Sequence, residues 1–269
     1  MALHFCSFAS GSSGNCYMAK SETTTILIDV GITGKRILGS LQDQGLLAQE
    51  VDGILITHEH IDHVKSLKML SKKASCAKVF GSAGTLNAVM DKIEGDKARA
   101  VRPSERFQIG DITVAAFPLS HDAAEPMGFS LIHGGRQLTI VTDTGYISEE
   151  IFSHIEKANL LVLEANHEVN ILKMGAYPYY LKRRILGDEG HLSNEAAGDC
   201  LCRMLKARQE KQVQDVPTVI LAHLSKENNT PGQAYLTIRN ILFEEEFYID
   251  KDLQLSVADR DEAGVLLEV

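Results

Sequence analysis

The chain has 269 residues, 44% of them hydrophobic and 23% charged, with a formal net charge of −9. That length suits one α/β domain, and the apolar fraction is ample for a sizeable core. The negative balance excludes a generally basic, nucleic-acid-coating surface, and no apolar run approaches the ~18–20 residues of a membrane span.

The N-terminal MALHFCSFASGSSGN has neither the basic start nor the long apolar segment of a secretory signal. Five cysteines without disulfide-type spacing suit a reducing compartment, so the protein reads as cytoplasmic. In chain order, TTTILIDVG (23–31) is a β-branched run that ends at a glycine turn, and KRILGSLQDQG (35–45) has a helical pattern. DGILIT (52–57) is a strand, HVKSLKMLSKK (63–73) an amphipathic helix, KVFGS (78–82) a short strand and GTLNAVMDKI (84–93) a helix. Residues 100–117 read as two strands. GFSLIHGGRQLTIVTDTG reads as a hairpin turning at Gly134-Gly135.

SEEIFSHIEKA (148–158) is a helix with a partial capping box at Ser148. NLLVLEAN is a strand, SNEAAGDCLCRMLKARQ a helix, and PTVILAHLS a strand running into a loop. Cys200 and Cys202 fall on different sides of that helix and read as structural. The tail FEEEFYIDKDLQLSVADRDEAG reads as strands and turns. With no repeat or linker, residues 1–269 are expected to form a single mixed α/β domain.

Polar residues gather where the strands end. His58 follows ILIT, His121 follows VAAFPLS, Asp143 ends LTIVT, Glu164 ends LLVL and His223 ends VILA. Such ends are where α/β sheets place their sites. The stretch ILITHEHIDH (54–63) packs His58, His60, Asp62 and His63 into six residues. Burying four such groups together without a metal would require four independent partners.

In an extended stretch His58 and His60 project to the same side and can share one cation. Asp62 and His63, at the turn into the next helix, can serve a second. Asp143 is the natural anionic bridge, with His121 completing the first site and His223 the second. Imidazole with carboxylate suits zinc, and also manganese or iron.

HEHIDH resembles the H-x-H-x-D-H signature of the metallo-β-lactamase superfamily, and His121, Asp143 and His223 match its remaining ligands in order. The resemblance implies a four-layer αββα sandwich with two divalent ions, Zn2+ before Mn2+ or Fe2+. True β-lactamases of this fold lack the bridging aspartate, so Asp143 points away from antibiotic hydrolysis. SFASGSSGNC, SHDAAEPMGF, LEANHE, GHLSNEAA and AHLSKENN together resemble the YycJ (WalJ) family. That resemblance implies a phosphodiesterase, specifically a 5′-to-3′ DNA exonuclease using a metal-activated hydroxide, with DNA expected before RNA as substrate.

LEANHE and GHLSNEAA are also similar to ribonuclease Z segments in which an acid and a histidine work as a pair. The similarity implies that Glu164 orients His191 for the departing oxygen, while Asp62 helps to orient the nucleophile. A tRNA-gripping arm and a β-CASP insertion both lack room here, which argues against tRNA 3′ processing and a ribonuclease J role. The alternative is a small-molecule metallo-hydrolase acting on a small phosphodiester or, like glyoxalase II, on a thioester.

Substrate contacts are read from three segments. ASGSSGN offers Ser10, Ser12, Ser13 and Asn15 to a phosphate, or is simply a tight hairpin turn. YPYYLKRRILG interleaves tyrosines with Lys182, Arg183 and Arg184, as a strand-binding patch or a solvated helix face. AHLSKENN adds Ser225, Lys226 and Asn228 beside a metal ligand.

Overall fold

The computed structural model describes residues 2–269. In chain order they form β1 (His4–Ala9), β2 (Cys16–Lys20), β3 (Thr25–Ile28), α1 (Gly34–Asp43), β4 (Gly53–Leu55), α2 (Ile61–Val64), α3 (Leu67–Lys73), β5 (Lys78–Gly81) and α4 (Ala83–Val89). There follow β6 (Ala98–Ala100), β7 (Arg106–Ile109), β8 (Ile112–Pro118), β9 (Met127–His133), β10 (Arg136–Val141), α5 (Glu149–Ile155) and β11 (Leu160–Glu164). The chain continues through α6 (Val169–Met174), α7 (Tyr179–Ile185), α8 (Asn194–Glu210), β12 (Thr218–Ala222), α9 (Pro231–Glu244), β13 (Gln254–Val257) and β14 (Leu267–Glu268).

These elements cluster into two compact units. The first comprises the chain up to Pro118 with Ala123–Arg136 and Asp259–Val269, and the second Leu119–Asp122 with Gln137–Ala258.

In the first unit one sheet runs in the order β14-β1-β2-β3-β4-β5-β6. Its β1, β2 and β3 are antiparallel, whereas β3 to β6 are parallel. The parallel strands are short apolar runs, as strands covered on both faces must be. Leu27, Ile54 and Val79 of this sheet lie in one buried cluster with Ile37 and Leu41 of α1 and Leu67 and Leu70 of α3. Each fully buried side chain of this kind contributes about 1.5–3 kcal/mol, so the strands form a firm base for the loops at their ends. The unit also contains β7, β8 and β9 as an antiparallel set.

The expected helix over 63–73 is two pieces, α2 and α3, with Ser66 at the break. Its hydroxyl donates to the Ile32 carbonyl at 2.6 Å, which ties the break to the loop after β3. β9 ends at His133, and Gly134 and Gly135 follow at φ 58° and 79°, the left-handed pair that a two-residue turn requires.

In the second unit β10, β11, β12 and β13 are all parallel. β11, LLVLE, is buried throughout. The Ser148 side chain accepts from the Ile151 amide, so α5 is capped after all. α9 was not anticipated. It starts at Thr230, whose side chain accepts from the Gln233 amide, with Pro231 in the first turn. Cys200 and Cys202 are buried in α8.

Candidate metal centre and acid–base pair

Three strand ends in the two units share a backbone device. Asp29 after β3, Asp143 after β10 and His223 after β12 have φ of 55°, 61° and 53°. Left-handed backbone at a residue other than glycine is uncommon, and Asp and His are among the residues that tolerate it. It turns the side chain sharply out of the strand direction.

In the first unit, Thr57 and His58 follow β4. The Asp29 carboxylate accepts from the Thr57 amide (2.9 Å), the Thr57 hydroxyl (2.9 Å) and His63 Nδ1 (2.7 Å). Because the Thr57 hydroxyl spends its proton on Asp29, it accepts from His58 Nδ1 at 3.0 Å. Both imidazoles thus carry their proton on Nδ1, and Nε2 is the lone-pair nitrogen in each. Asn15 agrees with this, since its amide nitrogen lies 3.2 Å from His63 Nε2.

The rings of His58 and His60 are 4.6 Å apart, those of His58 and His63 4.1 Å. Asp62 Oδ2 lies 3.6 Å from His63 Nε2. His58, His63 and Asp29 are fully buried, while His60 and Asp62 are partly exposed. Gly31 brings the chain this close, because the Asp62 carbonyl lies where its side chain would be.

In the second unit, Glu164 organises the histidines. Its Oε1 accepts from His191 Nδ1 at 2.8 Å and from His223 Nδ1 at 3.0 Å. Its Oε2 accepts the amides of Thr144 (2.9 Å) and Leu192 (3.2 Å). Burial disfavours the Glu164 charge, but the charge of His191 and the hydrogen bonds from His191 and His223 outweigh it, and the carboxyl is held well below the usual range. His121 Nδ1 donates to the Gly190 carbonyl at 3.0 Å, and burial pushes this imidazole below its ordinary pKa, toward the neutral form that can ligate a metal.

Asp143 Oδ1 is 3.3 Å from His223 Nε2, 3.6 Å from His191 Nδ1 and 3.9 Å from His121 Nε2. One ligand atom from each of Asp143, Glu164, His191 and His223 fits within a 4.8 Å span. The His191 side chain is 19% exposed, against 2% or less for His223 and Glu164. A group that must meet substrate has to be reachable, and His191 is.

The donor set fits divalent metal. In His58, His63, His121 and His223 a protein acceptor holds Nδ1 and orients the ring with Nε2 as donor atom, the usual support of a metal-bound imidazole. Asp29 and Thr57 supply that support, and sequence reading missed both. Asp29 could have been noticed, because it also ends an apolar strand. Asn166 was missed too; its side chain donates to the His223 carbonyl at 2.9 Å and its amide to the Leu192 carbonyl, which links the His191 and His223 loops.

The substrate-contact residues divide. Ser10 is buried against the Tyr17 hydroxyl at 2.8 Å, and Asn15 holds the turn by accepting from the Gly11 amide. Ser12 and Ser13 are exposed at the tip, and β1 pairs with β2 across it. Ser225 Oγ accepts from the amide of Asn228, which is buried, and Lys226 is exposed. Lys182 donates to the Lys173 and Gly175 carbonyls at 2.8 and 2.7 Å, and Arg184 pairs with Asp122. Arg183 is exposed, with no side-chain partner among the described residues.

A family model described as a beta-lactamase superfamily domain matches residues 24–211. The chain is 36% identical over 262 residues to the exodeoxyribonuclease YycJ of Bacillus anthracis, covering 96% of each. It is 33% identical over 266 residues to the exodeoxyribonuclease WalJ of Streptococcus pneumoniae, covering 97% of this chain and 96% of the relative. Among solved structures, the metallo-beta-lactamase fold protein YhfI of Bacillus subtilis superposes with a TM-score of 0.72 at 15% identity, covering 100% of both chains. The fold class is therefore α/β, the four-layer αββα sandwich of that superfamily.

Proposed function

The chain belongs to the beta-lactamase superfamily and, within it, to the YycJ/WalJ group, and from that premise we propose that it is a dinuclear metal-dependent nuclease degrading DNA from 5′ ends. It is a metal-dependent hydrolase of phosphodiester bonds. The observation that carries the finer reading is Glu164 Oε1 accepting from both His191 and His223. One carboxylate thereby orients a candidate metal ligand and a solvent-reachable acid together.

His58, His60 and His121 hold one ion, Asp62, His63 and His223 the other, and Asp143 bridges them. Bound there, zinc, or else manganese or iron, would supply an activated water and offset charge on the phosphate oxygens. Asp62 orients the attacking water. His191, held through Nδ1 by Glu164, gives the Nε2 proton to the oxygen that leaves phosphorus, and the Glu164 charge stabilises the imidazolium before that transfer.

Ser12 and Ser13 meet phosphate on a turn held by Ser10 and Asn15. Lys226, on a loop fixed by Ser225 and Asn228, and Arg183, between Lys182 and Arg184, provide charge. The family model runs through both units, which supports reading residues 1–269 as one functional domain. Five free thiols support a reducing, cytoplasmic setting. Among the described residues no helix is long and apolar enough to cross a membrane.

The test offers metal-loaded protein 5′-phosphorylated duplex DNA, single-stranded RNA and a thioester. Progressive release of nucleotides from the DNA 5′ end is expected. Thioester hydrolysis without polynucleotide cleavage would replace the nuclease with a small-molecule hydrolase. Elemental analysis of chelator-free protein is expected to find two divalent ions per chain, and one ion with full activity would remove the bridging role of Asp143.

A further inference from the structure

The cations of YPYYLKRRILG are largely used inside the protein, but its aromatic rings are not. Tyr179 and Tyr180 are 76% and 74% exposed, and Met174, ahead of them on α6, is 82% exposed. Rings held this far into water by a rigid helix gain little from the fold. Residues four apart on a helix share a face. Tyr180 therefore lies on the face of Arg184, whose guanidinium pairs with Asp122, the residue after His121. Tyr179 likewise shares its face with the exposed Arg183.

α7 is also fastened to the acid. The His191 amide donates to the Ile185 carbonyl at 3.0 Å, and the Asp122 amide to the Glu189 carbonyl at 3.2 Å. The helix bearing the tyrosines is thus locked to the loops that carry His121 and His191. Its charge persists, because Lys182 is held by carbonyls and not by a carboxylate.

We propose that Tyr179 and Tyr180, with Arg183, form a stacking platform for the unpaired nucleobases of a DNA strand entering the site, so that the protein selects single-stranded ends over fully paired ones. This rests on the nuclease reading. Every base offers a π face, so stacking holds a strand whatever its sequence, while the cation answers the phosphates. In a duplex the bases already stack on one another, and the platform has nothing to take. The net charge of −9 makes such a local cationic and aromatic surface the place for a polyanion to touch.

The test uses the full chain loaded with metal, and the Tyr179→Ser/Tyr180→Ser double variant beside Tyr179→Phe/Tyr180→Phe. The binding probe is a short phosphorothioate oligodeoxynucleotide with 2-aminopurine at its 5′ end. Wild type is expected to quench its fluorescence, the Ser pair to weaken binding roughly tenfold or more, and the Phe pair to restore it. In cleavage, the ratio of kcat/KM on a 5′-overhang duplex to that on bis-p-nitrophenyl phosphate should fall about tenfold in the Ser pair.

Equal losses on both substrates, or an Ser pair that binds the probe like wild type, would overturn the platform. Loss of concentration-dependent dimerisation in the Ser pair, without any probe binding by wild type, would overturn it in favour of a second copy of the chain. Tyrosine-dependent probe binding by a wild type that cleaves no DNA would uphold the platform and sink the nuclease reading alone.

Discussion

Gly31 and Asp62 are packed so closely that a Cβ on Gly31 would lie 1.6 Å from the Asp62 carbonyl oxygen. The obstacle is backbone, which cannot rotate aside. The same segment is pinned by the Asn15 amide donating to that carbonyl at 2.8 Å and the Val30 amide donating to the His63 carbonyl at 2.8 Å. Gly31→Ala must therefore push the HEHIDH loop off its seat. A loss of about 1–3 kcal/mol or more in denaturant unfolding is expected, with fewer metal ions per chain by elemental analysis. Gly39, inside α1, has nothing within 4 Å of its Cβ position, and Gly39→Ala should instead stabilise by about 0.5–1 kcal/mol.

Asp29 touches no candidate metal site directly, yet it sets the proton position on His63. Asn tolerates the left-handed backbone found there, so Asp29→Asn removes the charge without forcing the turn. Competition with a chelator should show metal affinity falling roughly 10–100-fold. Affinity equal to wild type would mean that Asp29 serves only to hold Thr57.

His191→Ala is expected to keep both metal ions and lose roughly 10²–10⁴-fold in kcat on a polynucleotide, the range of a missing general acid. A variant that purifies with fewer ions would make His191 a ligand.

His167 supplies a pH test. It is buried, neither ring nitrogen has a hydrogen-bond partner among the described residues, and burial lowers its pKa from 6.5 to about 4. Between those values the unfolded chain binds a proton that the folded protein refuses. Stability is thus fully present above pH 6.5 and declines as the pH falls toward 4, by about 3 kcal/mol from this residue. Urea unfolding of chelated protein at several pH values should show that decline, and His167→Gln should flatten it by close to one proton. An unaltered slope in the variant would mean that His167 is protonated in the folded state.

The apolar runs ILIT, LLVL and VILA were enough to locate strands, and their ends were enough to find His58, Glu164 and His223. Periodicity and strand-end position are local properties, which is why they can be read from sequence. What could not be read depends on distant partners. Asp29 meets His63 across 34 residues, and Arg184 meets Asp122 across 62. A charge count shows three cations on α7 but not that only Arg183 remains without a partner. α9 was overlooked for a different reason. Its buried residues Ala234, Ile238 and Leu242 recur every fourth position, but polar and acidic neighbours dilute the stripe, and Phe243 was read as the start of a strand-rich tail.

Asp29, Asp143 and His223 keep a backbone conformation that glycine would adopt at no steric cost, whereas any other residue there forfeits roughly 1–3 kcal/mol. The corresponding Gly variants would then fold as well as or better than the natural chain while losing a carboxylate or an imidazole. Laboratory evolution that screened for heat resistance alone would drift toward glycine at these three strand ends and silence the catalyst. A screen for thermotolerant forms of this protein has to score turnover in every round.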